Sequence, residues 1–149
     1  MLNYYLLKIA PVITLVIALV LLLANQEIMA LEGIEELEWN NRIILIYSSD
    51  ESNEIIDRLK HYHHEIIDRH IYWFVLANQV IHTNYEDTIS EDLYKKTLKV
   101  YFQDNEFNIL LIGKDGGIKQ EQKTLDLEKI FVLIDTMPMR QQEMLRQSK

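Results

Sequence analysis

Three apolar runs constrain this chain more than any other feature. Ile43-Ile44-Leu45-Ile46-Tyr47, Ile71-Tyr72-Trp73-Phe74-Val75-Leu76 and the run from Phe107 through Ile109-Leu110-Leu111-Ile112 are of strand length and rich in β-branched or aromatic side chains. They show no polar alternation, so they predict strands buried on both faces, and a layered α/β domain is the architecture that covers both faces of a sheet. The covering elements lie between them. Residues 51–69 place Ile55, Ile56, Leu59, Ile66 and Ile67 on one face at helical spacing. Residues 77–88, with Asn78, Asn84 and Asp87, read as a surface loop. Thr88 and Glu91 have the form of a capping box, with Ser90 as a competing N-cap, ahead of a helix through Leu93, Tyr94, Leu98 and Tyr101 that ends near Phe102. Strands alternating with helices predict parallel neighbours joined by right-handed crossovers.

Gly113-Lys114-Asp115-Gly116-Gly117 stops the third run. Asp115-Gly116 predicts a tight hairpin into a short strand over residues 118–122, which returns antiparallel as a sheet edge. Thr124 is a candidate N-cap, Asp126 and Glu128 place negative charge in the following first turn, and Leu127, Ile130, Phe131 and Ile134 repeat at helical spacing. Pro138 lacks an N–H, so that helix must end or kink near Met137, and a new one can start with the proline in its first turn. The predicted order is β-α-β-α-β-β-α, a thioredoxin-like α/β layout behind an N-terminal export or anchor helix.

That leading segment spans residues 1–30. Lys8 is its only basic side chain, residues 9–24 carry no charge, and Glu27, Glu32, Glu35, Glu36 and Glu38 follow. Positive before and acidic after is the polarity of an export signal. The apolar run is short of the ~20 residues that span a bilayer, which favours a cleaved signal over an uncleaved anchor. Any membrane contact is expected only through residues 9–24. Residues 31–38 read as an acidic linker and residues 39–149 as the domain, located in the periplasm or outside the cell. A net charge of −8 repels phosphate backbones and disfavours nucleic acid as a partner.

No cysteine is present, which excludes disulfides, thiol nucleophiles and thiolate metal sites together. Thioredoxin-like enzymes carry their reactive group after the first strand, where this chain has Ser48, Ser49, Asp50 and Ser52. These residues are the speculative binding positions; N-capping of the first helix accounts for Ser49, Asp50 or Ser52 equally well. No nucleophile elbow surrounds the serines. Taken at 100° per residue, Asp57, His61, His64 and Asp68 fall within a stripe of about 60° on one helix, a weak candidate for a divalent metal. Gly113-Lys114 does not make a phosphate loop, because Asn108 and Asp115 occupy the positions of its first glycine and its Ser or Thr. Met137, Met139 and Met144 suit either a core gap or an adaptable partner surface. Arg140 suits either a buried ion pair with Asp135 or Glu143, or a recognition surface.

Two motifs together closely resemble the signature of the P-DUDES domain, a thioredoxin-like domain of unknown function found in exported bacterial proteins and similar to modules of vertebrate secreted matrix and adhesion proteins. The first is Leu111-Ile112-Gly113-Lys114-Asp115-Gly116-Gly117-Ile118-Lys119. The second is Ile134-Asp135-Thr136-Met137-Pro138-Met139-Arg140-Gln141-Gln142-Glu143-Met144. The entry from Trp39 to Arg42 and Asp68-Arg69-His70-Ile71 are similar to that family too, although His70 stands where the resemblance implies an acid. The resemblance implies a fold and export, and brings no catalytic residue and no cofactor. The expected function is a non-catalytic binding or scaffold module of the cell envelope, with an envelope protein or a small ligand as partner. The alternative is an enzyme or metal-handling protein using surface histidines and carboxylates.

Overall fold

The computed structural model describes residues 30–48, 52–103 and 106–148. The predicted export segment, apart from Ala30, lies outside these residues, as do Ser49 and Asp50. Among the described residues no helix is long and apolar enough to cross a membrane.

The three apolar runs are strands at the centre of a mixed sheet. β1 (Arg42–Ser48), β2 (Ile71–Ala77), β3 (Val80–Thr83), β4 (Ile109–Ile112) and β5 (Ile118–Gln122) are ordered β3-β2-β1-β4-β5. Side chains alternate across a strand, so each central strand supplies both cores. Ile44, Ile46, Trp73, Val75 and Leu111 face one side, where α1 (Asn53–His61), α2 (His63–Asp68) and α4 (Leu127–Asp135) cover them with Leu59, Ile66, Ile130 and Ile134. Ile43, Leu45, Phe74, Leu76 and Leu110 face the other, under Leu31, Ile34, Leu37, Leu93 and Phe102. That second cover is built from a 3₁₀ turn (Ile34–Leu37), α3 (Leu93–Thr97) and a π-helical continuation (Leu98–Phe102). Burial on both sides explains why the middles of β1, β2 and β4 are continuously apolar.

Residues 77–88 are not simply a loop. They contain β3, joined to β2 by the two-residue turn Asn78-Gln79, with φ of +48° and +63°. Two positive φ values in succession make the turn whose twist matches paired strands. Its presence changes the topology. β1 and β2 are parallel as expected, but β4 runs antiparallel to β1. Because β3 reverses the chain, the helical connection returns it to the end where β2 finished, and β4 must run the other way. The expectation of a parallel third strand fails for that reason.

The single helix expected over residues 51–69 is two, α1 and α2, broken at Tyr62 (φ −91°, ψ +26°). The Tyr62 ring meets Phe131 of α4 edge-on at 5.8 Å, a contact that fixes the break in the core. Local caps also differ from the sequence reading. Asp126, not Thr124, caps α4 by accepting from the Lys129 amide at 3.0 Å. Asp92 precedes α3, and Ser90 Oγ accepts the Asp92 amide at 3.2 Å. The β4–β5 hairpin has a three-residue loop, closed by the Gly113 amide on the Gly117 carbonyl at 2.9 Å, with Gly116 at φ +74°. Pro138 starts α5 (Pro138–Gln147) in its first turn, as expected.

Gln79 holds a left-handed conformation that glycine adopts freely. Gln79→Gly should therefore raise stability by up to about 1 kcal/mol, and Gln79→Val should lower it by at least about 1 kcal/mol. Urea midpoints at unchanged slope measure both.

Candidate functional site

The strands that begin the sheet and the hairpin that ends it meet at one edge of the domain, where charge is buried. Arg42, first residue of β1, is 1% exposed. Its Nη1 donates to the Arg69 carbonyl at 2.8 Å and to Glu143 Oε2 at 3.0 Å, and its Nη2 to Glu143 Oε1 at 3.4 Å. From the hairpin, buried Lys114 brings Nζ to 2.9 Å from Glu143 Oε1 and 3.0 Å from His70 Nδ1. An ammonium only donates, so His70 Nδ1 accepts and the ring proton sits on Nε2. His70 has φ +51°, which places it between α2 and β2 facing this lysine.

Arg140, also buried, occupies the same face of α5 as Glu143. It donates from Nη1 to the Asp68 carbonyl at 2.8 Å, pairs through Nη2 with the Asp68 carboxylate, and reaches Asp135 Oδ1 from Nε at 3.3 Å. Asp135 in turn receives Arg69 Nε at 3.0 Å and Nη2 at 2.6 Å, a two-point pairing, while the Arg69 guanidinium lies 4.8 Å from the centre of the Phe131 ring. Four cations, three carboxylates and one imidazole from five stretches of the chain thus form one network.

The protonation states follow from these partners. Burial would raise the Asp135 carboxyl, but hydrogen bonds and charge from Arg69 and Arg140 outweigh it and hold the group below its ordinary value. Glu143 behaves alike: burial opposes, and Lys114 and Arg42 prevail. His70 is lowered by burial and by the Lys114 charge, against the pull of Glu143. At neutral pH Asp135 and Glu143 are ionised and paired and the His70 imidazole is neutral, so neither of these two carboxyls is poised to hold a proton.

Both sequence motifs therefore converge. Gly113, Lys114, Asp115, Gly116, Gly117 and Lys119 form the hairpin, and Asp135, Met137, Pro138, Met139, Arg140 and Glu143 form the α4–α5 corner beside it. A cleft of about 350 Å³ separates them, with Lys114, Lys119, Leu133, Met137 and Met139 in its walls. Of the alternatives the sequence leaves open for Arg140, the structure shows the buried ion pair with Asp135, while the sequence assigns no role to Arg42 and Arg69. The available signal was an arginine standing first in an otherwise apolar strand.

The opposite end of β1 carries the speculative positions. Ser48 lines a second cleft of about 350 Å³ with Tyr47, Glu54, Ile55, Arg58 and Lys123. Ser52 is buried as the N-cap of α1, and its side chain makes no capping hydrogen bond. Ser49 and Asp50 lie outside the described residues. The helix break at Tyr62 divides the metal candidates, leaving Asp57 and His61 on α1 and His64 and Asp68 on α2. Asp68 is engaged by Arg140, and among the described residues no three His, Asp or Glu side chains are grouped to hold an ion.

Two outcomes test this network. Arg140→Ala removes the Asp68 pairing and one of the two arginines on Asp135, which Arg69 still holds, so it should cost about 1–2 kcal/mol, between an exposed and a buried pair. Acidification should act in two steps. A lowered His70 means that the unfolded chain protonates first, so stability present above pH 6.5 is lost as pH falls below it. The Asp135 and Glu143 contributions, present above their ordinary values of 3.8 and 4.5, are lost as pH falls through their lower folded values. Melting temperature against pH should show a shallow step below 6.5 that His70→Gln removes, and a steeper one below 4.5 that it leaves.

No curated protein and no solved structure matches the chain. The family model for DUF4174, a domain of unknown function, matches residues 33–143.

Proposed function

The chain belongs to the DUF4174 family, a domain of unknown function, and from that premise we propose that it is a non-catalytic binding or scaffold module exported to the cell envelope. The observation that carries this reading is the cleft at the C-terminal end of β1. It combines an apolar wall of Ile46, Ile55, Ile109 and Leu125 with the polar rim of Ser48, Glu54, Arg58 and Lys123. Pockets of this make-up bind by apolar burial and orient by a few polar groups. The parallel β1–α–β2 unit beside an antiparallel hairpin supports a thioredoxin-like fold, in which this end of the first strand carries the reactive thiol. No cysteine exists to fill that role, so the position retains a cleft without the thiol chemistry. The hairpin and α5 motifs support assignment to the P-DUDES type within that fold, and the charge polarity of residues 1–30 supports export.

The reading is tested by crosslinked affinity capture of the tagged, exported protein from its native envelope. An export-blocked chain and Asn108→Arg serve as controls, Asn108 being an exposed residue of the cleft wall. A stoichiometric partner captured by the exported protein and lost from both controls is the expected result. Capture that is empty in the correct compartment, or unaffected by Asn108→Arg, overturns it. An intact mass of the exported protein, taken in the same preparation, reports whether residues 1–30 remain as a tether.

A further inference from the structure

We propose that the cleft between the β4–β5 hairpin and the head of α5 binds a medium-chain carboxylate, with its apolar tail against Leu133, Met137 and Met139 and its anionic head at Lys114 and Lys119. This site lies at the opposite end of the sheet from the cleft discussed above and does not depend on that reading.

The charge of the walls selects an anion. The chain carries a net −8, yet this cleft is lined by Arg42, Lys114 and Lys119 against the single carboxylate of Asp115. Glu143, shared between Arg42 and Lys114 at 3.0 and 2.9 Å, offsets one of their two charges, so three cations face two carboxylates and one positive charge remains in excess. Asp115 holds Lys119 at 2.6 Å, but both side chains are substantially exposed, at 47% and 32%, so an incoming carboxylate exchanges for Asp115 at little cost. Behind them, Arg42 is buried with its Nε–H lacking any hydrogen-bond partner among the described residues. That nitrogen has no surface open to the cleft, so Arg42 adds positive charge behind the ligand head rather than a contact with it.

The remaining walls select the tail. Leu133, Met137, Pro138 and Met139 present apolar surface, and the two methionines adapt to the shape of a flexible chain. Met139 is 40% exposed although no polar contact requires it there. At about 350 Å³ the cleft falls at the small end of ligand pockets, which suits a short acyl chain rather than a segment of protein.

The probe is octanoate, titrated calorimetrically into the full chain, with octylamine and 1-octanol carrying the same tail and acetate the head alone. Saturable octanoate binding is expected, with acetate at least about tenfold weaker and octylamine not saturating. Lys119→Glu and Met139→Glu, both at exposed positions, should each weaken octanoate by about tenfold or more without lowering the melting temperature. Absence of saturable binding, equal binding of octylamine or 1-octanol, or octanoate affinity that survives both substitutions overturns the assignment.

Discussion

The Glu143 carboxylate is the point on which one end of the domain turns. It lies between Arg42 and Lys114, both nearly inaccessible to solvent, and taking such charges out of water costs several kcal/mol for each ion. Its return is in docking. Only Arg140 of α5 is buried, and Leu145 of the same helix is 65% exposed, so the helix has almost no apolar face with which to join the core. Arg140 and Glu143 lie three residues apart and project from one side. The first takes Asp68 and Asp135, and the second takes Arg42 and Lys114, so the two together fix the position and rotation of the helix. Pro138 sets where the helix begins and hence which residues project inward.

The same interactions tie together segments remote in sequence. The N-terminal end of β1, the turn between α2 and β2, the hairpin and the α4–α5 corner all contribute a charged group. An apolar core is tolerant of small rotations, whereas a carboxylate shared between two cations is not. The sheet is thus pinned at one end by directional contacts. At its other end, where β1 finishes, the lining mixes isoleucine and leucine with the polar side chains of Ser48, Glu54, Arg58 and Lys123 around a cleft. The domain has a tightly specified end and an open one.

Much of this architecture is legible in the sequence because the signals are strong: continuous apolar runs for strands buried on both faces, and Pro138 for the restart of a helix. The errors have one main origin. β3 contains two aliphatic residues, Val80 and Ile81, and its turn is Asn78-Gln79 rather than the Asn-Gly that announces such a hairpin. Without β3 the chain direction is miscounted by one strand, and β4 comes out parallel. The break at Tyr62 contains neither glycine nor proline, and is set by packing on Phe131, a contact between residues far apart in the chain. The candidate site divides the same way. Lys114, Asp135, Arg140 and Glu143 were visible as motif residues, but their partners Arg42 and Arg69 acquire meaning only when the sheet brings them within 3 Å. Resemblance to the DUF4174 family over residues 33–143 ends at Glu143, the last member of the network.

The attachment at Leu31 has a mechanical consequence. Leu31 pairs in parallel with Ile89, its amide on the Thr88 carbonyl at 2.9 Å and its carbonyl taking the Ser90 amide at 3.0 Å. Leu31, Ile34 and Leu37 are buried just after it, and β1 begins only at Arg42. A pull arriving from residues before Ala30 is therefore borne first by two backbone hydrogen bonds and three aliphatic side chains on one face of the sheet. The central ladder of β1 with β2 and β4 is loaded only after these yield. The entry segment thus lies in series with the core, and tension on its N-terminal side loads it before the sheet and its charged clasp.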